Sequence, residues 1–306
     1  MIKREFYYPS ADGKTQIHAI AWEPEEVRAV LQISHGMVEY IDRYDAFARY
    51  LTQSGFVVTG NDHLGHGASV TSDENHGFFA QPEPNRCVIT DIHALRTMMQ
   101  ENYKDVPYFM LGHSMGSFLL RQYLTLYGEG LQGAVIMGTG AQPQGVLTAA
   151  RLLCRILALF HGWHYRSKLV NNMALGSYNR TFEPARTPND WLSKNTASVD
   201  AYCADPWCTY VFTVNGYYQL FTAIEAAQKN AGRIPKELPL LVTSGENDPV
   251  GGFGKDVRAV YEGYCKDGIR DVTLKLYPND RHEILNETDR DQVYADLLGW
   301  LMARMP

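Results

Sequence analysis

Short apolar runs and helically spaced segments alternate along the first 140 residues. Period-two or fully apolar runs predict strands, and apolar residues recurring every three to four positions predict helices. The predicted strands are Ile17–Trp22, Ala29–Ser34, Phe56–Gly60, Tyr108–Leu111 and Ala134–Met137. The predicted helices are Tyr44–Thr52, Cys87–Asn102 and Met115–Tyr127. Strand and helix in this rhythm favour an α/β fold, with a mostly parallel sheet covered by helices on both faces.

This alternation stops near Gln142 and resumes after Phe212. The interval is rich in Trp, Tyr, Arg, Asn and Pro, and it shows one apolar helix pattern and no convincing strand. We therefore expect a core formed by residues 1–141 and 213–306, with a helical insertion at 142–212. In the second core segment, the predicted helices are Tyr217–Lys229, Val257–Cys265 and Asp291–Met302, and the predicted strands are Leu240–Ser244 and Val272–Tyr277.

Composition limits the class of protein and its partners. The 306 residues are 45% apolar and 20% charged, which is ordinary globular usage. A net charge of −6 argues against nucleic acid as a main partner. The five cysteines contain no C-x-x-C pair, which favours reduced thiols in the cytoplasm. We also expect a soluble protein, because no secretory h-region is evident and Val146–Phe160, the longest apolar stretch, is interrupted by Arg151 and Arg155.

The pentapeptide Gly112-His113-Ser114-Met115-Gly116 fits the pattern G-x-S-x-G, and it lies between a predicted strand and a predicted helix. In that context a serine stands on a sharp, strained turn with its hydroxyl exposed, and the glycines keep the turn free of side chains. Ser114 is therefore the candidate nucleophile. The N–H of Met115, at the helix start, is a candidate donor to an oxyanion.

A serine nucleophile needs a base, and the base needs an orienting acid. On sheets of this type these residues follow in the order Ser, Asp or Glu, His. Asp248 and Glu246 both follow the strand Leu240–Ser244. We favour Asp248, because we expect Glu246 to be a solvated turn residue. His282 is the histidine that follows the candidate acid, so chain order selects it as the base.

The second oxyanion donor should lie in the loop after an early strand. Met37, which follows Gly36 at the end of the run from Leu31, is our candidate. Asp62, His63 and His66 are close enough in sequence to suggest a metal site, but no further ligands converge with them. We expect neither a metal nor a cofactor.

With these residues assigned, the chain resembles the α/β-hydrolase superfamily, and within it the monoacylglycerol lipase and lysophospholipase branch of the serine aminopeptidase S33 type. The matching positions are His35-Gly36, Glu39, Arg43-Tyr44, Asp62 to Gly67, Gly112 to Gly116, Gly245, Asp248, Val250 and His282-Glu283. The resemblance implies an α/β-hydrolase fold and a serine hydrolase with a helical cap between the sixth and seventh strands.

The expected reaction is hydrolysis of an ester with one acyl chain, such as a monoacylglycerol or a lysophospholipid. The apolar stretch Val146–Phe160 would form a wall of the acyl site and contact a membrane surface transiently. A serine aminopeptidase is an alternative, but it would need clustered acids to hold a free amine, and the insertion has only scattered ones. A non-catalytic receptor for lipids or other small molecules is a second alternative. The sequence does not indicate the acyl chain length, the head group or the oligomeric state.

Overall fold

The computed structural model describes residues 1–81 and 83–306. Its centre is an eight-stranded sheet of order β1-β2-β4-β3-β5-β6-β7-β8. Strand β2 runs antiparallel to both of its neighbours, and the six strands β3 to β8 are mutually parallel. The strands are β1 Ile2–Pro9, β2 Gln16–Glu23, β3 Ala29–Ser34, β4 Phe56–Asn61, β5 Tyr108–His113, β6 Gly133–Met137, β7 Leu240–Gly245 and β8 Val272–Tyr277.

Helices cover both faces of this sheet. They are α1 Asp45–Thr52, α2 Pro84–Asn102, α3 Met115–Tyr127, α4 Gln144–His161, α5 Lys168–Leu175, α6 Thr196–Ala204, α7 Val214–Lys229, α8 Lys255–Lys266 and α9 Arg290–Met302. Neighbouring strand residues face opposite layers: Val30 belongs to the apolar cluster that includes residues of α2, α3, α7 and α8, whereas Leu31 belongs to the cluster that includes residues of α1 and α9. The predicted mostly parallel sheet with helices on both faces is confirmed.

Two parts of the architecture differ from the sequence-based expectation. Strand β1 was not predicted, because Ile2–Pro9 mixes charged and aromatic residues and lies half-exposed at the sheet edge. Residues 142–212 are all described and contain no strand, but they hold three helices, α4, α5 and α6, where the pattern indicated one. Helices α5 and α6 have only 8 and 9 residues, too few for a clear periodic signal.

The parallel strands bring distant loops to one edge of the sheet. Strand β5 ends beside Ser114, β7 leads to Asp248, and β8 leads to His282. Register fixes their neighbourhood, since His113 pairs with Met137 and Gly245 pairs with Tyr277. Loops at the carboxyl ends of such strands are where ligands of open α/β sheets bind.

Candidate active site

Ser114 stands on a strained turn between β5 and α3. Its backbone has φ 53° and ψ −121°, a combination that residues other than glycine rarely adopt. Crowding explains both flanking glycines. A Cβ on Gly112 would lie 2.4 Å from the carbonyl oxygen of Gly116, and a Cβ on Gly116 would lie 1.9 Å from that of Ser34. The turn therefore accepts no side chain at either glycine.

Asp248 and His282 are in direct contact. The Nδ1 atom of His282 lies 2.9 Å from Oδ2 of Asp248, and both residues are buried. Asp248 also accepts hydrogen bonds from the Ser244 hydroxyl at 2.7 Å and the Val250 N–H at 2.9 Å. Glu246, the competing acid, is exposed in the turn. The structure thus places Asp248, and not Glu246, against the histidine.

The charge of Asp248 is stabilised in spite of its burial. Burial by itself raises the pKa of this carboxyl, but the neighbouring His282 and the hydrogen bonds from Ser244 and Val250 lower it further than burial raises it. The net result is a pKa below the ordinary value, so Asp248 is an anion at neutral pH. An anion at Nδ1 orients the imidazole and keeps the proton on that nitrogen.

The second ring nitrogen of His282, Nε2, is in a different situation from Nδ1. Within the described residues, its buried Nε2 atom has no hydrogen-bond partner. Ser114 and His282 line one cavity of about 1060 Å³. A Cβ on Gly138 would lie 3.0 Å from Cε1 of His282, so this glycine leaves the ring its space. The arrangement leaves Nε2 without a competing hydrogen bond among the described residues, so this nitrogen can accept a proton.

Met37 and Met115 line the same cavity as Ser114. Met115 is the first residue of α3, so its N–H has no acceptor within the helix. The loop before Met37 comes close to the nucleophile, because a Cβ on Gly36 would lie 3.1 Å from the Cβ of Ser114. Both candidate oxyanion donors therefore border the space in front of the serine.

A buried network of charges lies behind these loops. Glu39 accepts hydrogen bonds from the Gly36 N–H, from the Tyr44 hydroxyl at 2.9 Å and from His113 Nδ1 at 3.1 Å. Arg43 bridges Glu39 and Glu283 with contacts of 2.8 Å. The network thereby joins the loop before Met37, the residue before Ser114 and the residue after His282.

The pKa values in this network favour its charged form. Burial raises the pKa of Glu39, but His113 and Arg43 lower it more, so the net pKa lies far below the ordinary value. Burial lowers the pKa of His113, but the hydrogen bond to Glu39 outweighs burial and leaves the pKa raised. Sequence reasoning gave Glu39, Arg43 and Glu283 no role beyond the resemblance. The signal in the sequence that could have identified these three residues is that they are charged and flanked by buried stretches.

The cavity has a largely apolar wall beside Ser114. Apolar residues of α3, α4, α5 and α7 contribute to the lining, among them Phe118, Val146, Leu147, Ala150, Leu153, Val170, Leu220, Phe221 and Ile224. The lining also includes amide and hydroxyl side chains, namely those of Gln142, Asn171, Asn172, Ser177, Asn179, Thr187 and Asn189. The cavity therefore offers both apolar surface and hydrogen-bonding groups to a ligand.

Asp62, His63 and His66 do not form a metal centre. Asp62 Oδ2 lies 2.8 Å from His18 Nδ1, and His66 Nδ1 contacts the Leu64 carbonyl oxygen at 3.0 Å. Burial lowers the pKa values of His63 and His66 well below normal, so both rings are neutral packing groups. In the described part of the chain, no group of three or more His, Cys, Asp or Glu is arranged to hold a metal ion.

Comparison with known proteins agrees with this architecture. Residues 25–289 match the family described as serine aminopeptidase, S33. Monoglyceride lipase of Mus musculus is 27% identical to this chain, over 97% of this chain and 89% of the relative. Monoacylglycerol lipase of Mycolicibacterium smegmatis is 24% identical, over 96% of this chain and 95% of the relative. A thermostable carboxyl esterase from Bacillus coagulans superposes with a TM-score of 0.91 at 29% identity, covering 99% of both chains. The chain therefore belongs to the serine aminopeptidase S33 family and is a hydrolase with the α/β-hydrolase fold.

Proposed function

We propose that this protein is a carboxylic ester hydrolase that cleaves esters with a single acyl chain, of the monoacylglycerol or lysophospholipid type. The observation that carries the proposal is the shared cavity. Its lining includes Ser114, apolar side chains and His282, whose Nε2 has no hydrogen-bond partner among the described residues. The names of the similar proteins, monoglyceride lipase and carboxyl esterase, support the same reaction class.

In the proposed mechanism, Ser114 Oγ attacks the acyl carbonyl carbon while His282 Nε2 takes the hydroxyl proton. Asp248 holds His282 through Nδ1 and stabilises the imidazolium. The N–H groups of Met37 and Met115 donate to the oxyanion of the tetrahedral intermediate. The imidazolium then protonates the leaving alcohol, and an acyl-enzyme on Ser114 remains. Water, activated by the same histidine, releases the fatty acid and restores the serine.

The shape and polarity of the cavity support a substrate with one chain. A volume of about 1060 Å³ is slightly above the range of ordinary ligand pockets, which span roughly 300–1,000 Å³, so the cavity has room for an alkyl chain together with a head group. The apolar side chains of the lining suit a single alkyl chain, and its amide side chains suit a glycerol-like head group. We propose that residues 142–212 act as the cap that supplies most of both surfaces.

Aminopeptidase activity, which the family name suggests, fits the site less well. A free amino terminus needs an unpaired carboxylate, and the carboxylates in the described lining are Glu39 and Glu283, both bound to Arg43. The four acids of residues 142–212 lie outside the described lining: Glu183, Asp190, Asp200 and Asp205. A neutral acyl ester is therefore the better match. The receptor alternative predicts binding without turnover.

The outer face of α4 suggests transient contact with a membrane surface. This helix is long and apolar enough to span a membrane by length and composition, but a single such helix is weak evidence for a span. Arg151 of α4 pairs with Glu225 of α7, and Cys154 is buried, so one face is attached to the core. We propose peripheral contact by the opposite face, and a cytoplasmic location in keeping with five scattered cysteines that contain no C-x-x-C pair.

Labelling and turnover test the proposal together. Purified wild type is treated with a serine-reactive fluorophosphonate, and then assayed with p-nitrophenyl esters from acetate to palmitate and with alanine p-nitroanilide. We expect labelling, ester turnover and little anilide cleavage. Ser114→Ala should abolish labelling and lower kcat by at least about 10,000-fold, whereas the surface variant Ser72→Ala should match wild type. A folded wild type that neither labels nor turns over would overturn the proposal.

A further inference from the structure

A six-residue segment of the cap is bonded to the loop that carries His282. We call residues 190–195 the strap and residues 280–287 the histidine loop. Backbone contact comes from the Glu283 N–H, which donates to the Leu192 carbonyl at 2.7 Å. Glu287 accepts from the Ser193 hydroxyl at 2.6 Å and from the Lys194 N–H at 3.0 Å. The two segments are therefore joined next to the residue that would act as base.

Charged side chains add to this junction from both sides. The guanidinium of Arg281 donates to the carbonyl oxygens of Asp190 and Ser193 in the strap. The ammonium of Lys194 in the strap contacts Asp280 and lies 2.9 Å from Asp289. Asp280 is itself buried, so its contact with Lys194 is partly shielded from water. Backbone, hydroxyl and charged contacts therefore hold the strap firmly against the histidine loop.

One aromatic side chain of the strap, Trp191, packs against His282. The ring of Trp191 lies 5.1 Å from the ring of His282 between centroids, with the planes inclined by 39°. Trp191 is itself held in place, because its backbone N–H donates to Asn179 Oδ1 at 2.9 Å and its ring lies 5.0 Å from that of Tyr178. Spacing of this kind is typical of favourable aromatic pairs.

We propose that Trp191 is a positioning residue for His282, so that the strap sets the orientation of the general base. The inference rests on the proposed function, in which His282 is that base. Asp248 fixes the imidazole by a hydrogen bond at Nδ1, and the ring of His113 lies 4.8 Å from that of His282 between centroids. A hydrogen bond at one nitrogen does not by itself fix the tilt of the ring about that contact. The indole limits the tilt by covering one side of the ring, and this keeps Nε2 directed into the cavity. Misplacement of a catalytic group by about 1 Å can lower the rate by about 100-fold.

The test uses a substrate too small to need the acyl wall. Wild type, Trp191→Phe, Trp191→Leu and Trp191→Ala are compared with p-nitrophenyl acetate and by the rate of fluorophosphonate labelling. We expect Trp191→Ala and Trp191→Leu to lower kcat and the labelling rate by about 10- to 100-fold, with little change in KM. Trp191→Phe keeps a ring against His282 and should restore most of kcat. A residue that only shapes the substrate site would alter KM instead.

Trp207→Ala is the matched control, because Trp207 is another cap tryptophan, packs edge-on against Tyr40 and is absent from the described cavity lining. It should keep the wild-type kcat. Thermal unfolding shows which variants are folded, and if Trp191→Ala does not fold, the comparison of leucine with phenylalanine decides. Unchanged kcat in a folded Trp191→Leu or Trp191→Ala, or an equal loss in all three Trp191 variants, would overturn the inference. An inactive wild type would instead overturn the proposed function.

Discussion

At the scale of single residues, backbone crowding determines which amino acids can surround Ser114. Gly36, Gly112 and Gly116 each stand where a Cβ would meet another group at 2.5 Å or less. At Gly36 the nearest atom is a side-chain oxygen of Glu39, which has some freedom to move. At Gly112 and Gly116 it is backbone oxygen. These two glycines are therefore structural requirements of the turn that presents the serine.

Gly116→Ala should damage both stability and activity. The added methyl would lie 1.9 Å from the Ser34 carbonyl, and relief requires α3 to move away from β3. We expect a loss of about 3 kcal/mol or more in the free energy of unfolding, together with a large loss of ester turnover. Urea unfolding and p-nitrophenyl ester assays measure the two effects.

Gly263→Ala provides the matched control for this substitution. Gly263 lies within α8, and a Cβ there would meet nothing within 4 Å. Replacing an unhindered helical glycine by alanine should raise stability by up to about 1 kcal/mol and leave turnover unchanged. Wild-type stability and turnover in Gly116→Ala would contradict the crowding argument.

At the scale of elements, the sequence predicted the inner strands and most helices, because their apolar residues follow the expected periods. It also identified Ser114, Asp248 and His282 as candidates, since G-x-S-x-G and chain order point to them. Neither β1, with its mixed sequence at the edge, nor the contact of Trp191 with His282 could be predicted. That contact joins residues 91 positions apart through an irregular cap segment, where no periodic pattern exists.

Helix α4 should control the acyl chain length, because one of its faces lines the cavity. Ala150 belongs to that lining, whereas the adjacent Ala149 is exposed and outside the described lining. We expect Ala150→Trp to fill part of the cavity at its apolar wall and shift the best p-nitrophenyl substrate from long to short chains. Ala149→Trp should keep the wild-type profile. Identical chain-length profiles for the two variants would show that this face does not contact the acyl group.

Helix α2 is attached to the first hairpin through a buried carboxylate. Asp91 accepts from the Ser10 hydroxyl at 2.8 Å and from the Ala11 N–H at 2.7 Å. Burial outweighs these hydrogen bonds and raises the pKa of Asp91 from 3.8 to about 6. Below pH 3.8 both the folded and the unfolded chain hold the proton. As pH rises towards 6 the unfolded chain releases it first, so this group lowers stability over that window.

Asp91→Asn should therefore remove a pH-dependent destabilisation. The amide does not titrate, so the variant should gain about 2 kcal/mol relative to wild type between pH 4 and pH 7. Urea unfolding of both proteins at the two pH values measures this difference. A constant difference between the two proteins across that range would show that Asp91 is ionised as easily in the folded chain as in the unfolded one.

At the scale of the whole molecule, charge is unevenly distributed. The chain has a net charge of −6, yet between Glu129 and Glu183 it contains no acidic residue and five basic ones. The same stretch carries large apolar side chains on the outside, including Leu159 and Phe160, which are 81% and 75% exposed. On α4, Arg155 lies at helical spacing from the exposed Leu152 and Leu159, so cation and apolar groups share a face.

A surface of this kind is suited to an anionic lipid layer, in which apolar side chains enter the interface and cations meet the head groups. We expect the protein to sediment with vesicles of phosphatidylcholine and phosphatidylglycerol more strongly than with phosphatidylcholine alone, and less strongly at high salt. The double variant Leu159→Ser/Phe160→Ser should weaken binding to both vesicles by at least about tenfold. Arg155→Gln should weaken only the anionic case, by about fivefold. Leu126→Ser, at an exposed apolar position on α3, is the control. Equal binding by the double variant and this control would exclude the α4 face as the membrane contact.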